Sequence, residues 1–238
     1  MKLTLLFFSF ILCSYSYAQD YTIGVRGGLN YYSIGDINSR GSSIEIGKPD
    51  ELFTPNKEMG TQFGVFFNVL FGKVYIQPEL NYVSSKNNYS FPLKTSVWKT
   101  SKIDIPLLVG YKIVEPVSIY LGPSLNIYNE TILDGVQVTP YSDGGPDLEK
   151  TTFHINVGVM AKYGRFGLDL RYETGLEGTK EELLDIIKSD YGANLVDLRS
   201  YTPSILSLSL IIDIISTNSD NVGGFFSNMF RKKCYCPY

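Results

Sequence analysis

The residue best suited to acid–base chemistry is His154, the only histidine among the 238 residues. An imidazole placed beside a hydroxyl and a carboxylate can serve as the general base of a hydrolase. Ser124 is the nearest candidate hydroxyl, on the preceding predicted strand but deeper along it. The sequence contains no G-x-S-x-G motif, phosphate loop or pair of metal ligands. We therefore expect His154 to pack in the interior, and we expect no catalytic, cofactor-binding or metal-binding residue.

The first eighteen residues have the features of a signal peptide. Lys2 gives a positive start, an apolar run spans residues 3–12, and Ser16-Tyr17-Ala18 provides small residues for cleavage before Gln19. A rival interpretation makes Cys13 a lipidated N-terminus. If residues 1–18 are removed, Cys234 and Cys236 are the remaining cysteines, and their spacing does not fit a structural zinc site. They could be oxidised in the periplasm or bond another protein.

Residues 19–215 show hydrophobic alternation of period two, which predicts strands with one apolar and one polar face. Each segment is about ten residues long, the length that a tilted strand needs to cross a bilayer. The predicted strands span residues 22–32, 62–72, 74–82, 102–112, 117–128, 153–163, 166–173 and 206–214. The fold class that follows is all-β, an eight-stranded antiparallel up-and-down transmembrane β-barrel.

The connections between these strands alternate between long and short. The short ones are Gly72-Lys73, Glu115-Pro116 and Gly164-Arg165, whereas the others have about 15 to 25 residues. Outer-membrane barrels have short periplasmic turns and long outer loops. We therefore expect both ends of the barrel to lie on the periplasmic side, followed by a periplasmic C-terminal tail over residues 216–238.

Ionised side chains fall on the polar faces of the strands. An eight-stranded barrel has an interior that side chains can fill, so we expect a plugged lumen with a network of ion pairs and amide hydrogen bonds. Arg26 and Asp213, on the first and last strands, are one expected pair. The alternative of a soluble, lipocalin-like carrier predicts the reverse, with apolar side chains inward. The residues assigned to the lumen are Arg26, Glu79, Lys102, Asp104, Lys112, Lys162, Asp169, Arg171, Glu173 and Asp213.

Aromatic residues on the apolar faces cluster near the strand ends, which predicts two girdles at the membrane interfaces. Phe67 departs from this pattern. The outer girdle comprises Tyr31, Phe63, Tyr82, Phe153 and Tyr172, and the inner girdle comprises Phe71, Tyr111, Tyr163 and Phe166.

The outer loops are the expected place of function, because the wall faces lipid and the lumen is packed. The third loop, between strands five and six, is strongly acidic, which fits either a ligand or divalent-cation surface or ordinary solvation. In the last loop, Thr179 and Glu182 form a capping box, and Leu183, Ile186 and Ile187 recur at helical spacing. This pattern predicts a short helix above the membrane.

Four motifs resemble the PorT-like outer-membrane β-barrel family of Bacteroidota. They are G-V-R-G-G-L-N at residues 24–30, Q-P-E-L-N-Y at 77–82, I-D-I-P-L-L at 103–108 and L-G-P-S-L at 121–125. The resemblance covers about residues 22–215 and implies that Pro78, Pro106 and Pro123 mark bulges or strand ends. It also implies recognition by the barrel assembly machinery and, through the namesake of the family, an association with protein secretion.

The function that the sequence favours is that of a non-enzymatic barrel in the outer membrane of a Gram-negative bacterium. It would act through its outer loops or its tail in binding, envelope integrity or secretion, with outer-membrane lipid, lipopolysaccharide and a secretion-system or periplasmic protein as partners. A net charge of −3 gives no reason to expect nucleic acid. The main rival is a lipid A-modifying barrel enzyme that uses His154.

Overall fold

A computed structural model describes residues 20–40 and 51–217. The predicted signal peptide, Cys13, Cys234, Cys236 and nearly all of the predicted tail lie outside these residues. The elements run in the order β1 (Asp20–Ser33), β2 (Ile37–Ser39), β3 (Leu52–Phe53), β4 (Asn56–Lys57), β5 (Met59–Phe71), β6 (Val74–Ser90), β7 (Thr95–Val114), β8 (Val117–Leu133), β9 (Val136–Gln137), β10 (Thr151–Tyr163), β11 (Phe166–Gly175), β12 (Glu182–Ile186), α1 (Lys188–Tyr191), β13 (Leu195–Leu198) and β14 (Ser204–Ser216).

Eight long strands pair in a closed ring. The ring order is β1, β5, β6, β7, β8, β10, β11 and β14, and every neighbouring pair is antiparallel. The first and last strands close the ring, with Val25 opposite Ile212 and Leu29 opposite Leu208. The predicted eight-stranded up-and-down barrel is therefore confirmed. Because the ring has no free edge, each of its strands pairs with a neighbour on both sides.

Tight turns and long connections alternate along the chain as predicted. Two-residue turns join β5 to β6, β7 to β8 and β10 to β11. Gly72 and Gly164 have φ of 65° and 58°, a backbone conformation that side chains with a Cβ disfavour. The N-terminal end of β1 and the C-terminal end of β14 lie at the same end of the barrel as these turns.

The two faces of the wall have opposite polarity. Leu107, Leu168 and Leu208 point outward and are 49%, 56% and 53% exposed, whereas Arg171 is 3% exposed inside the ring. A continuous apolar exterior is stable only in an apolar solvent, so the lipocalin-like alternative is wrong. Among the described residues, no helix has the length and hydrophobicity to cross a membrane.

The three prolines do not mark bulges or strand ends, so that expectation is wrong. Pro78, Pro106 and Pro123 lie inside β6, β7 and β8. The ladder is interrupted beside each of them, yet the register on both sides of each interruption is the same. A missing N–H removes a ladder hydrogen bond without requiring an extra residue, and the closed sheet accommodates that loss.

The outer loops form a second, five-stranded sheet that the sequence interpretation missed. Its strand order is β3, β2, β13, β12, β9, so three separate connections contribute to it. The expected helix in the last loop is wrong: residues 182–186 form β12, and a four-residue helix follows. Pairing of β12 with β13 and β9 outweighs the helical spacing of its apolar residues.

The second sheet covers an apolar core at the outer end of the barrel, and we call this unit the outer cap. Strands β6, β7 and β8 extend to 17, 20 and 17 residues and supply its remaining wall. The fully buried Trp98, Leu184 and Ile186 belong to this core. Burial of such side chains favours the cap by about 1.5–3 kcal/mol each.

Candidate functional site

A layer of buried ion pairs crosses the middle of the lumen. Glu79 on β6 accepts hydrogen bonds from Arg26 on β1, at 2.7 Å, and from Arg171 on β11, at 2.9 Å to each carboxylate oxygen. Strands β6 and β11 lie on opposite sides of the ring, so the Arg171–Glu79 pair spans the lumen. All three side chains are at most 4% exposed. The layer therefore fills the cross-section with paired charges.

Asp169 and Tyr120 complete this layer. Asp169 accepts a hydrogen bond from Arg26 at 2.7 Å and a short one from the Tyr120 hydroxyl. The Tyr120 hydroxyl in turn accepts a hydrogen bond from Nε of Arg171 at 2.9 Å. Two guanidinium groups and two carboxylates thus balance in charge, which is what a water-poor interior requires.

The expected Arg26–Asp213 pair is wrong. In the β1–β14 register Asp213 lies opposite Gly24, whereas Arg26 lies opposite Ile211. Asp213 instead pairs with Lys162 at 2.8 Å near the turn end. The offset carries the two side chains to different depths, so each finds a nearer partner.

An apolar layer lies between the ion pairs and the turn end. Two of its tyrosines lie across inward-facing glycines on the neighbouring strand: a Cβ on Gly110 would come within 2.0 Å of Tyr75, and one on Gly158 within 2.3 Å of Tyr120. Glycine is required at both positions because the rings occupy the space that a side chain would need. The layer consists of Phe66, Tyr75, Leu108, Tyr120, Met160 and Ile211, with Leu70 packed against it.

Beyond this layer, a cavity of about 450 Å³ opens at the turn end, and Lys112, Lys162 and Asp213 are among its lining residues. The ion and apolar layers separate it from the outer end.

A second charged cluster lies toward the outer end of the lumen. The Lys102 ammonium makes a short contact with Oε1 of Glu173, which also accepts a hydrogen bond from Asn126 at 2.7 Å. Asp104 accepts a hydrogen bond from Asn81 at 3.2 Å. Every residue assigned to the lumen thus lies on the inner face, although Lys112 and Lys162 are only half-buried.

His154 links this cluster to the outside. Its Nδ1 lies 2.7 Å from Oε1 of Glu173, and its Nε2 lies 3.0 Å from Oγ1 of Thr152. Ser124 is directly opposite His154 in the sheet, but its hydroxyl accepts a hydrogen bond from Asn156 at 2.9 Å. The hydroxyl partner of His154 is therefore Thr152, which the sequence interpretation did not consider. The T-x-H spacing, which places both side chains on one face of a strand, could have revealed it.

Thr152 and His154 line a cavity of about 380 Å³ that we call the outer pocket. It opens between the β9–β10 and β11–β12 connections. Six carboxylate residues and one lysine line it: Asp143, Asp147, Glu149, Glu177, Glu181, Glu182 and Lys180. Its interior therefore has a negative electrostatic potential.

Three of these acids converge. Carboxylate oxygens of Asp143, Asp147 and Glu182 lie within 4.8 Å of one another. Burial raises the pKa of Glu182, and the neighbouring Asp147 and Asp143 raise it further, although Glu182 accepts a backbone hydrogen bond from Asp147 at 2.9 Å. Carboxylate oxygens are ligands suited to a hard cation.

The nine aromatic residues assigned to girdles all point outward and are exposed. Phe71 and Tyr111 flank Val74 in neighbouring strands at the turn end. Phe63 and Tyr82 are directly opposed near the other end.

Comparison with known proteins gives one family match. The profile of a family described as "Outer membrane protein beta-barrel domain" matches residues 17–181. A comparison with curated proteins gave no match.

Three similar solved structures are outer-membrane or surface proteins. OprG from Pseudomonas aeruginosa is 14% identical, with a TM-score of 0.47 over 82% of this chain and 96% of that chain. Neisserial surface protein A is 12% identical, with a TM-score of 0.43 over 80% and 96%. Ail of Yersinia pestis, solved with the heparin analogue sucrose octasulfate, is 12% identical, with a TM-score of 0.39 over 82% and 98%.

Proposed function

The chain belongs to the family of outer-membrane protein β-barrel domains, and from this premise we propose that it is a non-conducting surface barrel that acts through its outer cap by binding. The observation that carries the proposal is the closed lumen. Glu79, Arg26 and Arg171 fill its cross-section, and an apolar layer lies behind them. An ion entering this region would have to displace paired, buried charges.

The outer cap supports the other half of the proposal. It is an ordered unit with its own sheet and apolar core, and it carries a cavity open to the outside. Loops that only connect strands do not need a buried core. A rigid surface of this kind is suited to holding a ligand in one geometry.

Several finer assignments belong to the same proposal. We assign residues 1–18 to a signal peptide, 19–215 to the barrel and 216–238 to a periplasmic tail. We also place the chain with PorT-like barrels of Bacteroidota, assembled by the barrel assembly machinery, with lipopolysaccharide around the cap. A contribution to secretion would act through the tail. The four sequence motifs and the signal-peptide features of residues 1–18 support these assignments.

Solute uptake into proteoliposomes tests the closed lumen. We expect the purified barrel to admit no small sugar, and a variant with residues 138–147 replaced by a short Gly-Ser linker to remain equally closed, because the ion layer lies below the cap. Sugar entry through the wild-type barrel would contradict the proposal. Entry through the shortened variant alone would make the cap a gate and would contradict it as well.

A further inference from the structure

The floor of the outer pocket carries three groups in the order that acyl transfer uses. Thr152 Oγ1 lies 3.0 Å from His154 Nε2, and His154 Nδ1 lies 2.7 Å from Glu173 Oε1. The first contact is a hydrogen bond, whereas the second is a close charged contact in which Nδ1 does not meet hydrogen-bond geometry. A hydroxyl, an imidazole and an orienting carboxylate in this sequence of contacts are the features by which a nucleophile–base pair is recognised.

The burial and contacts of Thr152, His154 and Glu173 fit the roles of nucleophile, base and orienting carboxylate. Thr152 is half-buried and lines the cavity, so its hydroxyl is accessible to a ligand there. His154 is 1% exposed, and its ring is held between Thr152 and Glu173. Lys102 and Asn126 both contact Oε1 of Glu173, which fixes the carboxylate against the imidazole.

We propose that the outer pocket catalyses hydrolysis of an ester through Thr152 as nucleophile and His154 as general base, with Glu173 as a positioning residue. This inference goes beyond the proposed binding function and departs from the expectation of a barrel without catalysis. It also changes the hydroxyl partner of His154 from the one considered in the sequence.

The lining of the pocket selects the substrate class. Six carboxylate residues surround the cavity against one lysine, so an anionic ester would be repelled and a cationic one attracted. A phosphorylated glycolipid is therefore a poor fit. The substrate that matches the pocket is an ester that carries an ammonium or guanidinium group and reaches the site from the outer aqueous side.

The chemical steps balance with water as the only co-reactant. Thr152 Oγ1 attacks the ester carbonyl carbon while its proton passes to His154 Nε2, and Glu173 faces the second N–H of the resulting imidazolium. The bond to the leaving alkoxide breaks, and the alcohol takes the proton from Nε2. Water then gives a proton to His154 and attacks the acyl-threonine, and His154 returns that proton to Oγ1 as the acid leaves.

The test uses the purified full-length barrel in lipid nanodiscs and p-nitrophenyl 4-guanidinobenzoate, a cationic ester that leaves an acyl group on the nucleophile. We expect release of p-nitrophenolate and an acyl adduct that peptide mapping places on Thr152. An anionic analogue, p-nitrophenyl 4-carboxybenzoate, should react at least severalfold more slowly.

Variants assign the roles. Thr152→Val and His154→Ala should each lower the acylation rate by about 100-fold or more, whereas Thr152→Ser should retain it. Glu173→Gln should lower kcat and leave KM within about twofold, as expected for a positioning residue. Thr151→Val is the matched control, because Thr151 is an exposed neighbour on the outward face, and it should react like the wild type.

Labelling of the wild-type protein is enough to overturn the inference, so the test does not depend on whether a variant folds. No adduct, an adduct at another residue, or equal labelling of wild type and a folded Thr152→Val would each overturn it. A barrel that excludes sugars but forms no adduct would overturn this inference and leave the proposed function intact. A barrel that is labelled at Thr152 but admits sugars would support this inference and contradict the proposed function.

Discussion

The middle of the lumen is filled by charged and polar side chains that bond across the barrel, whereas the outer cap encloses an apolar core. In the lumen, Arg26 and Glu79 side chains are 2% and 0% exposed. In the cap, the Arg40–Asp197 pair lies on the surface, and the interior is held by residues such as Trp98. A barrel surrounded by lipid turns its apolar side chains outward and its ions inward, while the cap, in water, does the reverse.

One chain therefore follows opposite packing rules on the two sides of the membrane–water interface. Charge pairing in the lumen is geometrically demanding, so loss of one partner has a large effect. In the cap, the apolar core dominates and exposed pairs contribute little.

Glu79→Gln should produce the largest loss. Arg26 and Arg171 would both lose their shared carboxylate while remaining buried, at a cost of about 3–5 kcal/mol. Urea unfolding of the barrel in lipid vesicles measures the change. Glu177→Gln, at an exposed cap position, is the control and should unfold like the wild type. Equal stability of the two variants would remove the contrast between lumen and cap.

Leu184→Ala should destabilise the cap by about 2–5 kcal/mol, because the side chain is fully buried in the cap core. The barrel strands should keep their stability, since none of the lumen layers contains this residue. Hydrogen exchange of β12 and β13, compared with that of β10 and β11, gives the measurement. The exposed Leu176→Ala is the matched control. Faster exchange in all four strands would mean that cap and barrel unfold as one unit.

Gly158→Ala should cost about 1–3 kcal/mol through overpacking. Its Cβ would lie 2.3 Å from the Tyr120 hydroxyl, which is held between Asp169 and Arg171. At Gly27 the nearest atom would be 3.9 Å away, so Gly27→Ala should be neutral. Thermal unfolding of the two variants compares them. If both are neutral, the glycine–tyrosine contact does not constrain the lumen.

The Arg40–Asp197 pair should contribute less than about 1 kcal/mol despite its two 2.7 Å contacts, because both side chains are partly exposed. A double-mutant cycle with Arg40→Ala and Asp197→Ala, followed by cap hydrogen exchange, gives the coupling energy. A coupling as large as the effect of Glu79→Gln would show that burial does not govern the strength of ion pairs here.

The smallest expected effect is a pH dependence of the cap. Burial raises the pKa of Glu182 above its unfolded value. The stability that this group contributes is therefore present at low pH and is lost as the pH rises through its folded pKa. The protection factors of cap amides, which are corrected for the intrinsic pH dependence of exchange, should thus fall between acidic and neutral pH. Glu182→Gln should flatten that dependence, whereas Glu177→Gln should not.

The barrel could be predicted from sequence because a bilayer imposes one rule on every strand. Residues such as Leu168 and Asp169 alternate in polarity, and period two identified all eight strands and their faces even though an apolar layer, which includes Leu108, lies on the inner face. The tight turns followed from the alternation of connection lengths. Ion pairing between particular residues could not be predicted, because the partners of Arg26 are the acids at the same depth in the lumen and not those on the adjacent strand.

The cap escaped prediction because its strands are two to five residues long and pair across distant connections. Leu183, Ile186 and Ile187 fit helical spacing, yet tertiary pairing decided the structure. The loops do contain a signal: apolar residues such as Ile37, Val196 and Leu198 are more numerous than solvated loops need. The Thr152–His154 contact could also have been predicted, since residues two apart on a strand share a face.

Cysteine labelling on β14 distinguishes a packed lumen from an open one, because Ser207 and Leu208 are adjacent and point to opposite sides of the wall. In a background with Cys13, Cys234 and Cys236 replaced by serine, Ser207→Cys and Leu208→Cys are exposed to a water-soluble maleimide and to a membrane-partitioning one. We predict that Leu208→Cys reacts only with the membrane-partitioning reagent and that Ser207→Cys reacts with neither. Rapid reaction of Ser207→Cys with the water-soluble reagent would show an open, wet lumen and would contradict the account.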